Sequence, residues 1–516
     1  MMTRYQRNLL LVAAAISSSS GLAVELLLGN LASYLVGNEA LSYGIAVGGF
    51  LAAMGVGSYL SRFIADETSW ESGEELSPQQ REDLLSSFAK VELAIAPLTA
   101  FLPLGLFALF VVDGFLWLGL FLVTLVLGIL AGLEIPLLTR LVEQEEGLRE
   151  ALAGVLAMDY LGALLGSLVF PVVLLPVFGM FPSAAIIGSL PAVMVFLLGR
   201  AFPQLRVWRW VGLAVAAGLL GFAWVAVPIG NSLENKLYAD PVVGRWQSAY
   251  QRLVLTRWGR DMRLFLNGDL QLSTADEYRY HEALVHPAMV AAENPRRVLL
   301  LGAGDGMALR EVLKWEQVER VLLLELDPAV VSLAQNHPFL SKLSDRAWED
   351  PRVEVRYGDA FRIAPTLAET FDVIIADFPD PDRTALAKLY SKGFYEGLRS
   401  RLAPTGAMVT QASSPFFAPQ AFACIAATLE ASDMSVYPYR TDVPSFGPWG
   451  FVMAANQPFD PSVPISLSVK TRYLTPHLFP TLFQIPEDIR REDVEINTLA
   501  HPIIARYQSD RRWNLY

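Results

Sequence analysis

Cysteine and histidine are scarce in this chain of 516 residues, and their scarcity excludes several kinds of site. The single cysteine, Cys424, cannot close an intramolecular disulfide, build a cysteine cluster or hold an iron–sulfur centre. The five histidines show no paired spacing of the kind that metal ligands have, so we predict no metal site. Charged residues are also few, at 18%, whereas 53% of the residues are hydrophobic. This composition is too apolar for an ordinary soluble protein.

Basic residues are outnumbered by acidic ones. The chain has 40 Lys and Arg against 52 Asp and Glu, which gives a net charge of −12. Because proteins that bind nucleic acid are usually basic, this charge argues against a nucleic-acid partner. A cationic small molecule is the better match.

Long apolar stretches fill the chain before residue 230, and seven of them have the roughly 20 residues that cross a bilayer as a helix. We predict spans at Leu9–Leu28, Ser42–Ile64, Val91–Val112, Phe115–Leu138, Leu152–Val177, Ser183–Leu198 and Val211–Ile229. The first is similar to a signal peptide, since Arg4 and Arg7 precede a short apolar core. Because it stays apolar past Glu25 and six spans follow, we interpret it as a retained anchor. Residues 1–230 are therefore predicted to form a seven-helix bundle in the lipid bilayer.

Arginine predicts the orientation of this bundle. The arginines that flank the spans all fall on the N-terminal side of the alternation, and the opposite short connections contain no Lys or Arg. They are Arg4, Arg7, Arg62, Arg81, Arg140, Arg149, Arg200, Arg206 and Arg209. Since basic connections stay in the cytoplasm, we expect an inner membrane protein with a cytoplasmic N-terminus. Seven spans would place the residues after 230 on the side of the membrane opposite the cytoplasm. If one of the last two segments were re-entrant, these residues would lie in the cytoplasm. The side on which they lie therefore stays open.

Three carboxylates interrupt the apolar stretches, namely Glu25, Glu134 and Asp159. An ionisable side chain at membrane depth is costly, so it usually faces the bundle interior and serves a buried contact or a pathway. The contact would be a hydrogen bond between helices, beside small residues such as Gly48 and Gly57. The pathway would carry a cation or a polyamine. Both interpretations stay open.

The second half of the chain alternates short strands with turn and helix signals. Tyr250–Thr256 and Met262–Leu272, with the turn Asn267-Gly268, predict a small β-hairpin region, which together with a linker occupies residues 231–295. An α/β domain is predicted over residues 296–490. Residues 491–516 form a C-terminal extension to which we assign no role.

The α/β domain contains four apolar strands that alternate with helical segments. They are predicted at Val298–Leu301, Val321–Leu324, Val353–Arg356 and Phe371–Ala376. The loops after them carry Asp305, Glu325, Asp359 and Asp377. Because the loops at the carboxyl ends of parallel strands share one crevice, we expect these acids to converge on one ligand. The predicted fold is a multi-pass α-helical membrane bundle fused to an α/β domain with an adenosylmethionine-type, Rossmann-like sheet.

The loop Gly302-Ala303-Gly304-Asp305-Gly306 indicates the class of ligand. A glycine loop after a strand serves both NAD and adenosylmethionine, but the NAD fingerprint has its third glycine where this chain has Met307. Glu325 lies where an acid binds ribose hydroxyls in either class. Asp359 can accept a hydrogen bond from an adenine amino group. We therefore predict an adenosyl sulfonium ligand rather than a dinucleotide.

Asp305 bears on whether that ligand is adenosylmethionine or its decarboxylated form. A carboxylate beside the ligand's amino-acid tail would repel the tail carboxylate, but it would pair with the lone ammonium left after decarboxylation. The alternative role of Asp305 is to cap a helix. A methyltransferase that uses intact adenosylmethionine therefore stays a second enzymatic hypothesis.

Asp377 and Asp380 add negative charge that would attract a polycation. An alkylammonium has a pKa of about 10.4 and must lose a proton before its nitrogen can attack. A carboxylate within hydrogen-bond distance can take that proton. We expect Tyr280 and His281 to line the amine channel. A metal site of clustered acids is the alternative, but the chain offers it neither histidine nor a fixed carboxylate spacing.

As an ordered set, the motifs over residues 248–490 resemble the spermidine synthase (polyamine aminopropyltransferase) family, and the whole chain resembles its bacterial membrane-fused branch. The motifs are Tyr250-Gln251, Leu266-Asn267-Gly268, Asp276-Glu277-x-x-Tyr280-His281-Glu282, the glycine loop with Leu309-Arg310-Glu311, Glu325-Leu326-Asp327, Gly358-Asp359-Ala360, Asp377-x-x-Asp380-Pro381 and Phe394-Tyr395. The resemblance implies that the thioadenosine group is bound by Gln251, Gly302, Gly304, Glu325, Asp359 and Ala360. It implies that the amines are bound by Tyr280, His281, Asp305, Asp380 and Phe446, with Asp377 as proton acceptor.

Some positions depart from the family pattern, and those near the predicted site lie on the acceptor side. Phe378 and Pro379 separate the two acids of the loop where the family has small polar residues. Asp382-Arg383-Thr384 stands where the family commonly has Gly-Pro, and Phe446 replaces a tyrosine that would contact the amine. The segment Thr471–Pro486 resembles the family's C-terminal helix.

The resemblance implies a membrane-anchored enzyme with decarboxylated adenosylmethionine as co-substrate and no cofactor. It would move the aminopropyl group to putrescine or a related diamine, giving spermidine and methylthioadenosine. The acceptor amine and a homo-oligomeric state are left open. From a different class, the carboxylates inside the apolar stretches leave open a polyamine transporter or sensor whose soluble domain only binds.

Overall fold

The computed structural model describes residues 2–36, 39–64, 78–111 and 115–509. The chain divides into two compact units, Met1–Ala239 and Asp240–Tyr516. The predicted boundary after residue 230 falls inside the last long helix of the first unit, which continues to Glu234.

The first unit is built from helices. They are α1 (Arg4–Val36), α2 (Glu39–Leu60), α3 (Pro78–Val111), α4 (Leu116–Glu146), α5 (Leu148–Val169), α6 (Leu175–Phe178), α7 (Met180–Ala201) and α8 (Trp208–Glu234). A π-helical turn over Phe170–Leu174 joins α5 to α6 in one continuous segment. In the described part of the chain, seven helical segments are long and apolar enough to cross a membrane, and each overlaps one predicted span.

Glycines form the closest helix contacts in this unit. A Cβ built on Gly57 of α2 would lie 2.0 Å from the backbone oxygen of Ile129 in α4. One built on Gly162 of α5 would lie 2.0 Å from the backbone oxygen of Ala15 in α1. Such close approach requires the smallest residue at both positions. A Cβ built on Gly48, by contrast, would have nothing within 4 Å, so the helices approach closely at Gly57 and not at Gly48.

The acids within the apolar helices differ in their surroundings. Glu134 of α4 is buried, whereas Glu25 and Asp159 are partly exposed. A further acid, Glu92 of α3, is fully buried and accepts a hydrogen bond from the hydroxyl of Ser17 in α1. Glu92, which the sequence analysis did not single out, therefore joins two helices, and the roles of Glu25, Glu134 and Asp159 stay predictions.

A four-stranded antiparallel sheet begins the second unit. Its strands, in spatial order, are β1 (Val242–Gln247), β2 (Arg252–Trp258), β3 (Asp261–Leu266) and β4 (Asp269–Ser273). The turn between β3 and β4 is Asn267-Gly268, with φ angles of 53° and 98°. Positive φ at both central residues is what a tight hairpin turn requires, and Asn-Gly is the pair that adopts it most readily. The predicted hairpin is therefore present, and β1 adds a strand that the sequence pattern did not reveal.

The main sheet has seven strands in the order β10-β11-β9-β8-β5-β6-β7. They are β5 (Arg297–Gly302), β6 (Arg320–Glu325), β7 (Val353–Tyr357), β8 (Phe371–Asp377), β9 (Leu402–Gln411), β10 (Ser435–Val443) and β11 (Gly447–Ala455). Strands β5 to β9 are parallel, and β10 and β11 form an antiparallel hairpin beside β9. The four predicted parallel strands are confirmed, and the complete sheet is mixed.

Both faces of this sheet are covered. Leu299 and Leu301 of β5 belong to one hydrophobic core, whereas Val298 and Leu300 belong to a second core. This is the burial that a run of apolar residues in a parallel strand predicts. The helices of the unit are α9 (Glu277–Ala291), α10 (Met307–Leu313), α11 (Pro328–Asn336), α12 (Pro338–Leu343), α13 (Ala360–Ile363), α14 (Thr384–Ala387), α15 (Lys392–Arg399), α16 (Pro419–Glu430), α17 (Phe479–Leu482) and α18 (Ile504–Gln508).

The prediction of a helix over Thr471–Pro486 is wrong, because only the four residues of α17 are α-helical there. Three prolines, at positions 476, 480 and 486, limit helix formation in this segment. The segment is held instead by Glu282 of α9, whose carboxylate accepts the backbone N–H groups of residues 472, 473 and 474 at 2.6–2.8 Å. Glu282 is fully buried, so this residue of the α9 motif has a structural role.

Candidate active site

The carboxyl ends of β5 and β8 place the glycine loop beside the acidic loop. β5 lies between β6 and β8, so the order of the chain reverses at this point, and such a reversal opens a ligand crevice. Gly302, the last residue of β5, pairs in register with Asp377, the last residue of β8. A Cβ on Gly302 would lie 2.2 Å from the backbone oxygen of Asp377, and φ of Gly302 is +76°. Only glycine satisfies both conditions, so this residue fixes how closely the two loops approach.

Gly304 brings the same loop against Glu325 at the end of β6. A Cβ on Gly304 would lie 2.6 Å from Oε2 of Glu325. Glu325 accepts the backbone N–H of Asp327 at 3.0 Å, and burial raises the pKa of its carboxyl to about 7. The predicted convergence of these two positions is therefore present in the structure.

The remaining positions predicted to bind thioadenosine lie on two further loops. Gln251, just before β2, donates a 3.0 Å hydrogen bond to Asp327, which connects the small sheet with the loop after β6. Asp359, after β7, accepts the backbone N–H of Phe361 at 3.0 Å and pairs with the Lys388 ammonium at 2.7 Å. Ala360 follows it and is buried. Both oxygens of Asp359 thus have partners, and the lysine is one that the sequence did not reveal.

Helix α9 brings an aromatic wall to the acidic loop. The hydroxyl of Tyr280 donates a 2.6 Å hydrogen bond to Oδ1 of Asp377. The Tyr280 ring lies in edge contact with Phe446, with ring centroids 6.0 Å apart, and with Phe451 at 5.2 Å. Trp449 completes this wall, its ring 5.4 Å from that of Phe446. Phe446 therefore lies within the predicted amine-binding region, and it offers an apolar edge where a tyrosine would offer a hydroxyl.

His281, the next residue of α9, lies between two carboxylates. Its Nδ1 is 3.0 Å from Oε2 of Glu277, and its Nε2 is 3.7 Å from Oδ2 of Asp305. Burial opposes protonation of the ring, but Asp305 and Glu277 together outweigh it and raise the pKa of His281 to about 10. The ring is therefore an imidazolium at neutral pH.

Asp305 makes the helix-capping contact that the sequence left open, and its role toward the donor stays a prediction. Its Oδ1 accepts the backbone N–H of Met307 at 2.8 Å, as in a helix cap, while its Oδ2 faces His281. Burial alone would raise the pKa of Asp305, but the His281 imidazolium and the Met307 N–H outweigh it and lower that pKa. Asp305 is thus held as a carboxylate.

Behind these residues lies a buried ionic network that sequence reasoning did not assign. The Arg310 guanidinium makes two 3.0 Å hydrogen bonds to the Glu277 carboxylate and one of 2.8 Å to Glu311. Glu311 also contacts His286 at 3.1 Å and is fully buried. The sequence did contain an indication of this network, since Glu277, Arg310 and Glu311 all belong to motifs identified there. The network anchors Glu277 and, through it, the ring of His281.

Asp377 and Asp380 are both harder to ionise than ordinary carboxyls. Burial raises the pKa of Asp377 to about 6, with nearby Asp305 raising it and His281 and the Tyr280 hydroxyl lowering it. Burial likewise raises the pKa of Asp380 to about 7, with Asp382 and Asp269 adding to the rise. A carboxyl whose pKa lies near ambient pH is suited to exchanging a proton.

Asp380 is surrounded by side chains that sequence reasoning missed. Gln411, the last residue of β9, donates to Oδ1 at 3.2 Å, and the hydroxyl of Ser413 donates to Oδ2 at 3.1 Å. The amide nitrogen of Gln508 in α18 donates to Oδ2 at 2.9 Å. Ser413 has a positive φ of 58°, a backbone conformation that is uncommon for residues other than glycine. Gln508 belongs to the C-terminal extension, to which the sequence analysis assigned no role.

The sequence is similar to those of known proteins over most of its length. The family model described as the spermine/spermidine synthase domain matches residues 277–464. A protein of Ralstonia nicotianae named polyamine aminopropyltransferase 2 is 40% identical over 511 residues, covering 97% of each chain. A polyamine aminopropyltransferase of Leptospira interrogans is 38% identical over 513 residues, covering 98% of each chain.

Among solved structures, a spermidine synthase in complex with the transition state analogue AdoDATO is similar, with a TM-score of 0.45 and 26% identity, covering 48% of this chain and 87% of that chain. Identity near 40% over almost the whole length, together with the matching domain, decides the assignment. The chain belongs to the polyamine aminopropyltransferase family of transferases.

Proposed function

We propose that this enzyme transfers the aminopropyl group of decarboxylated adenosylmethionine to putrescine or a related short diamine, giving spermidine and methylthioadenosine, while a lipid bilayer anchors it. The observation that carries the proposal is the placement of Asp305 and Asp377 on either side of the neighbouring residues Tyr280 and His281. One acid is held ionised and the other has a pKa of about 6. An acid that binds the cationic donor must be ionised, and a proton acceptor needs a pKa close to the ambient pH.

Asp305 accounts for the choice of donor. Its lowered pKa keeps it a carboxylate, the state that attracts a terminal ammonium and repels a terminal carboxylate. Decarboxylated adenosylmethionine has the lone ammonium, and adenosylmethionine has both groups. Gly304 and Glu325 supply the close turn and the acid expected to accept the ribose hydroxyls, and Gln251 lies on the loop beside them.

The reaction is a direct displacement. The unprotonated nitrogen of the diamine attacks the aminopropyl carbon bonded to the sulfonium. A carbon–nitrogen bond forms as the carbon–sulfur bond breaks, and the sulfur leaves with the bonding electrons as a neutral thioether. The new ammonium loses one proton, which Asp377 accepts while Tyr280 holds its carboxylate in place.

The outer surface of the first unit supports anchoring in a bilayer. Large apolar side chains point away from its core, such as Phe121 at 62% exposure, Val172 at 67% and Trp224 at 86%. Apolar surface of this extent is unstable in water and stable against lipid chains. The asymmetric arginines favour a bacterial inner membrane and a cytoplasmic N-terminus.

The enzymatic proposal is tested with the full chain purified in detergent. The protein is given decarboxylated adenosylmethionine and, separately, adenosylmethionine, with a panel of mono-, di- and triamines, and products are identified by mass. We expect aminopropylated diamine and methylthioadenosine in equal amounts, from the decarboxylated donor alone. Methylated products from adenosylmethionine, or no product with any amine, would overturn the proposal.

Anchoring is tested by expressing the full chain in bacteria and washing the membrane fraction with alkaline carbonate. An embedded protein stays in the pellet and is released by detergent. Release by the wash alone would refute a bilayer-spanning first unit.

A further inference from the structure

The C-terminal extension is attached to the second unit through buried contacts. Ile503 and Ile504 belong to the hydrophobic core on one face of the main sheet. Asn497 is fully buried, donates to the backbone oxygen of Ala387 at 2.8 Å and accepts the backbone N–H of Lys392 at 2.9 Å. These contacts fix the start of α18 and therefore the position of Gln508 at its end. Residues 510–516 of the extension lie outside the described residues.

The amide of Gln508 is oriented by its partners. Its nitrogen donates to Oδ2 of Asp380 at 2.9 Å and to the hydroxyl of Ser413 at 2.7 Å. Reversing the amide would place two acceptor oxygens 2.9 Å apart, which their repulsion disfavours. Among the described residues, the remaining amide oxygen of Gln508 is buried and has no hydrogen-bond partner.

A buried acceptor without a partner destabilises the protein, because it has lost its hydrogen bonds to water. This oxygen belongs to the same planar amide that contacts Asp380, so it lies within a few ångströms of that carboxylate. A primary ammonium has three N–H donors and can give one to the carboxylate and another to the amide oxygen. A carboxylate and a neutral carbonyl side by side therefore form a site complementary to one terminal ammonium.

We propose that Gln508 is a specificity-determining residue for the acceptor, binding the far ammonium of the diamine together with Asp380 while the near nitrogen reacts beside Asp377. This inference rests on the proposed function and deepens it, since it assigns a substrate contact to the C-terminal extension. The hydrogen bond from Gln508 also orients the Asp380 carboxylate. The enzyme therefore recognises a diamine at both ends, and a monoamine of equal length lacks the group that Gln508 binds.

The test compares 1,4-diaminobutane with butylamine as acceptors for the full-length wild type and for Gln508→Ala. Loss of one hydrogen bond to a charged group should lower kcat/KM for the diamine by about 10- to 100-fold. The loss should appear mainly as a raised KM, with kcat/KM for butylamine unchanged. Arg506→Ala, a change at an exposed residue of the same helix, is the matched control and should leave both acceptors unaffected.

The outcomes separate the two proposals. If the wild type transfers no aminopropyl group to any amine, the proposed function fails. If the wild type is active and Gln508→Ala lowers kcat/KM equally for both acceptors, Gln508 supports only the fold and the inference is wrong. Unchanged kinetics with both acceptors would overturn it as well.

Discussion

Tyr280 and Asp377 come from different elements, α9 and β8, yet the phenol donates a 2.6 Å hydrogen bond to the carboxylate. The bond stabilises the ionised carboxyl against its burial, and the nearby His281 imidazolium acts in the same direction. Asp305 opposes both, and burial is the largest effect, so the pKa of Asp377 is about 6. At pH 7 most of this carboxyl is therefore ionised and still basic enough to take a proton.

Replacing Asp377 with Asn should nearly abolish turnover, because the amide keeps the shape of the side chain and cannot accept the proton. General-base catalysis contributes typically about 10²- to 10⁴-fold, which sets the expected loss in kcat. Methylthioadenosine affinity, measured by calorimetry, should stay within a few-fold of wild type. Asp382→Asn in the same loop is the matched control, and turnover of Asp377→Asn close to wild type would refute the role.

The pH dependence of the reaction should follow the ionisation of Asp377. Since the pKa of Asp380 is raised to about 7 and that of Asp377 to about 6, kcat/KM should fall as the pH drops through both values, the lower limb reporting Asp377. Tyr280→Phe removes a hydrogen bond that lowers this pKa, so the acid limb should move to higher pH. If the acid limb of Tyr280→Phe stayed at the wild-type pH or moved to lower pH, the ionisation of Asp377 would not control that limb.

Much of the crevice could be predicted because short patterns determine it. Gly302 and Gly304 follow a buried strand, and Asp377 ends another, so the rule that parallel strands share a carboxyl edge brings these loops together. The structure confirms that placement through the register of Gly302 with Asp377. Glu325 is found beside Gly304 for the same reason.

Other features had no local signal. β10 is an edge strand that contains Pro438, a residue that usually argues against a strand but is tolerated at an edge. The Lys388 partner of Asp359 lies 29 residues further along the chain, and the Gln508 partner of Asp380 lies 128 residues further. Contacts of this kind depend on how distant segments of the chain pack together. The hydrophobic periodicity of the sequence does not indicate that packing.

Asp305→Asn should weaken the preference for the decarboxylated donor. The change removes the charge that attracts a lone ammonium and repels a tail carboxylate, while an amide can still accept the Met307 N–H. We expect the ratio of affinities for decarboxylated adenosylmethionine over adenosylmethionine, measured by calorimetry, to fall at least about 10-fold. Asp359→Asn is the control, because it should affect the two donors equally. An unchanged ratio for Asp305→Asn would show that another residue selects the donor.

The buried network around Arg310 should contribute to the stability of the second unit. Arg310 makes three short hydrogen bonds to Glu277 and Glu311, and both carboxylates are almost entirely excluded from water. Arg310→Met would remove one cation from both buried carboxylates, while Glu277 would keep His281 and Glu311 would keep Lys314. Breaking a buried ion pair in this way costs about 3–5 kcal/mol, far more than the loss of an exposed pair.

We therefore expect Arg310→Met to lower the free energy of unfolding by about 3–5 kcal/mol, measured on the full chain by denaturant titration with a probe in the second unit. Arg490→Met removes an exposed pair with Glu487 and should change it by less than about 1 kcal/mol. Because Glu277 also holds the His281 ring, Arg310→Met should further lower turnover at temperatures where the protein stays folded. If both variants were equally stable, the network would contribute to neither the fold nor the position of His281.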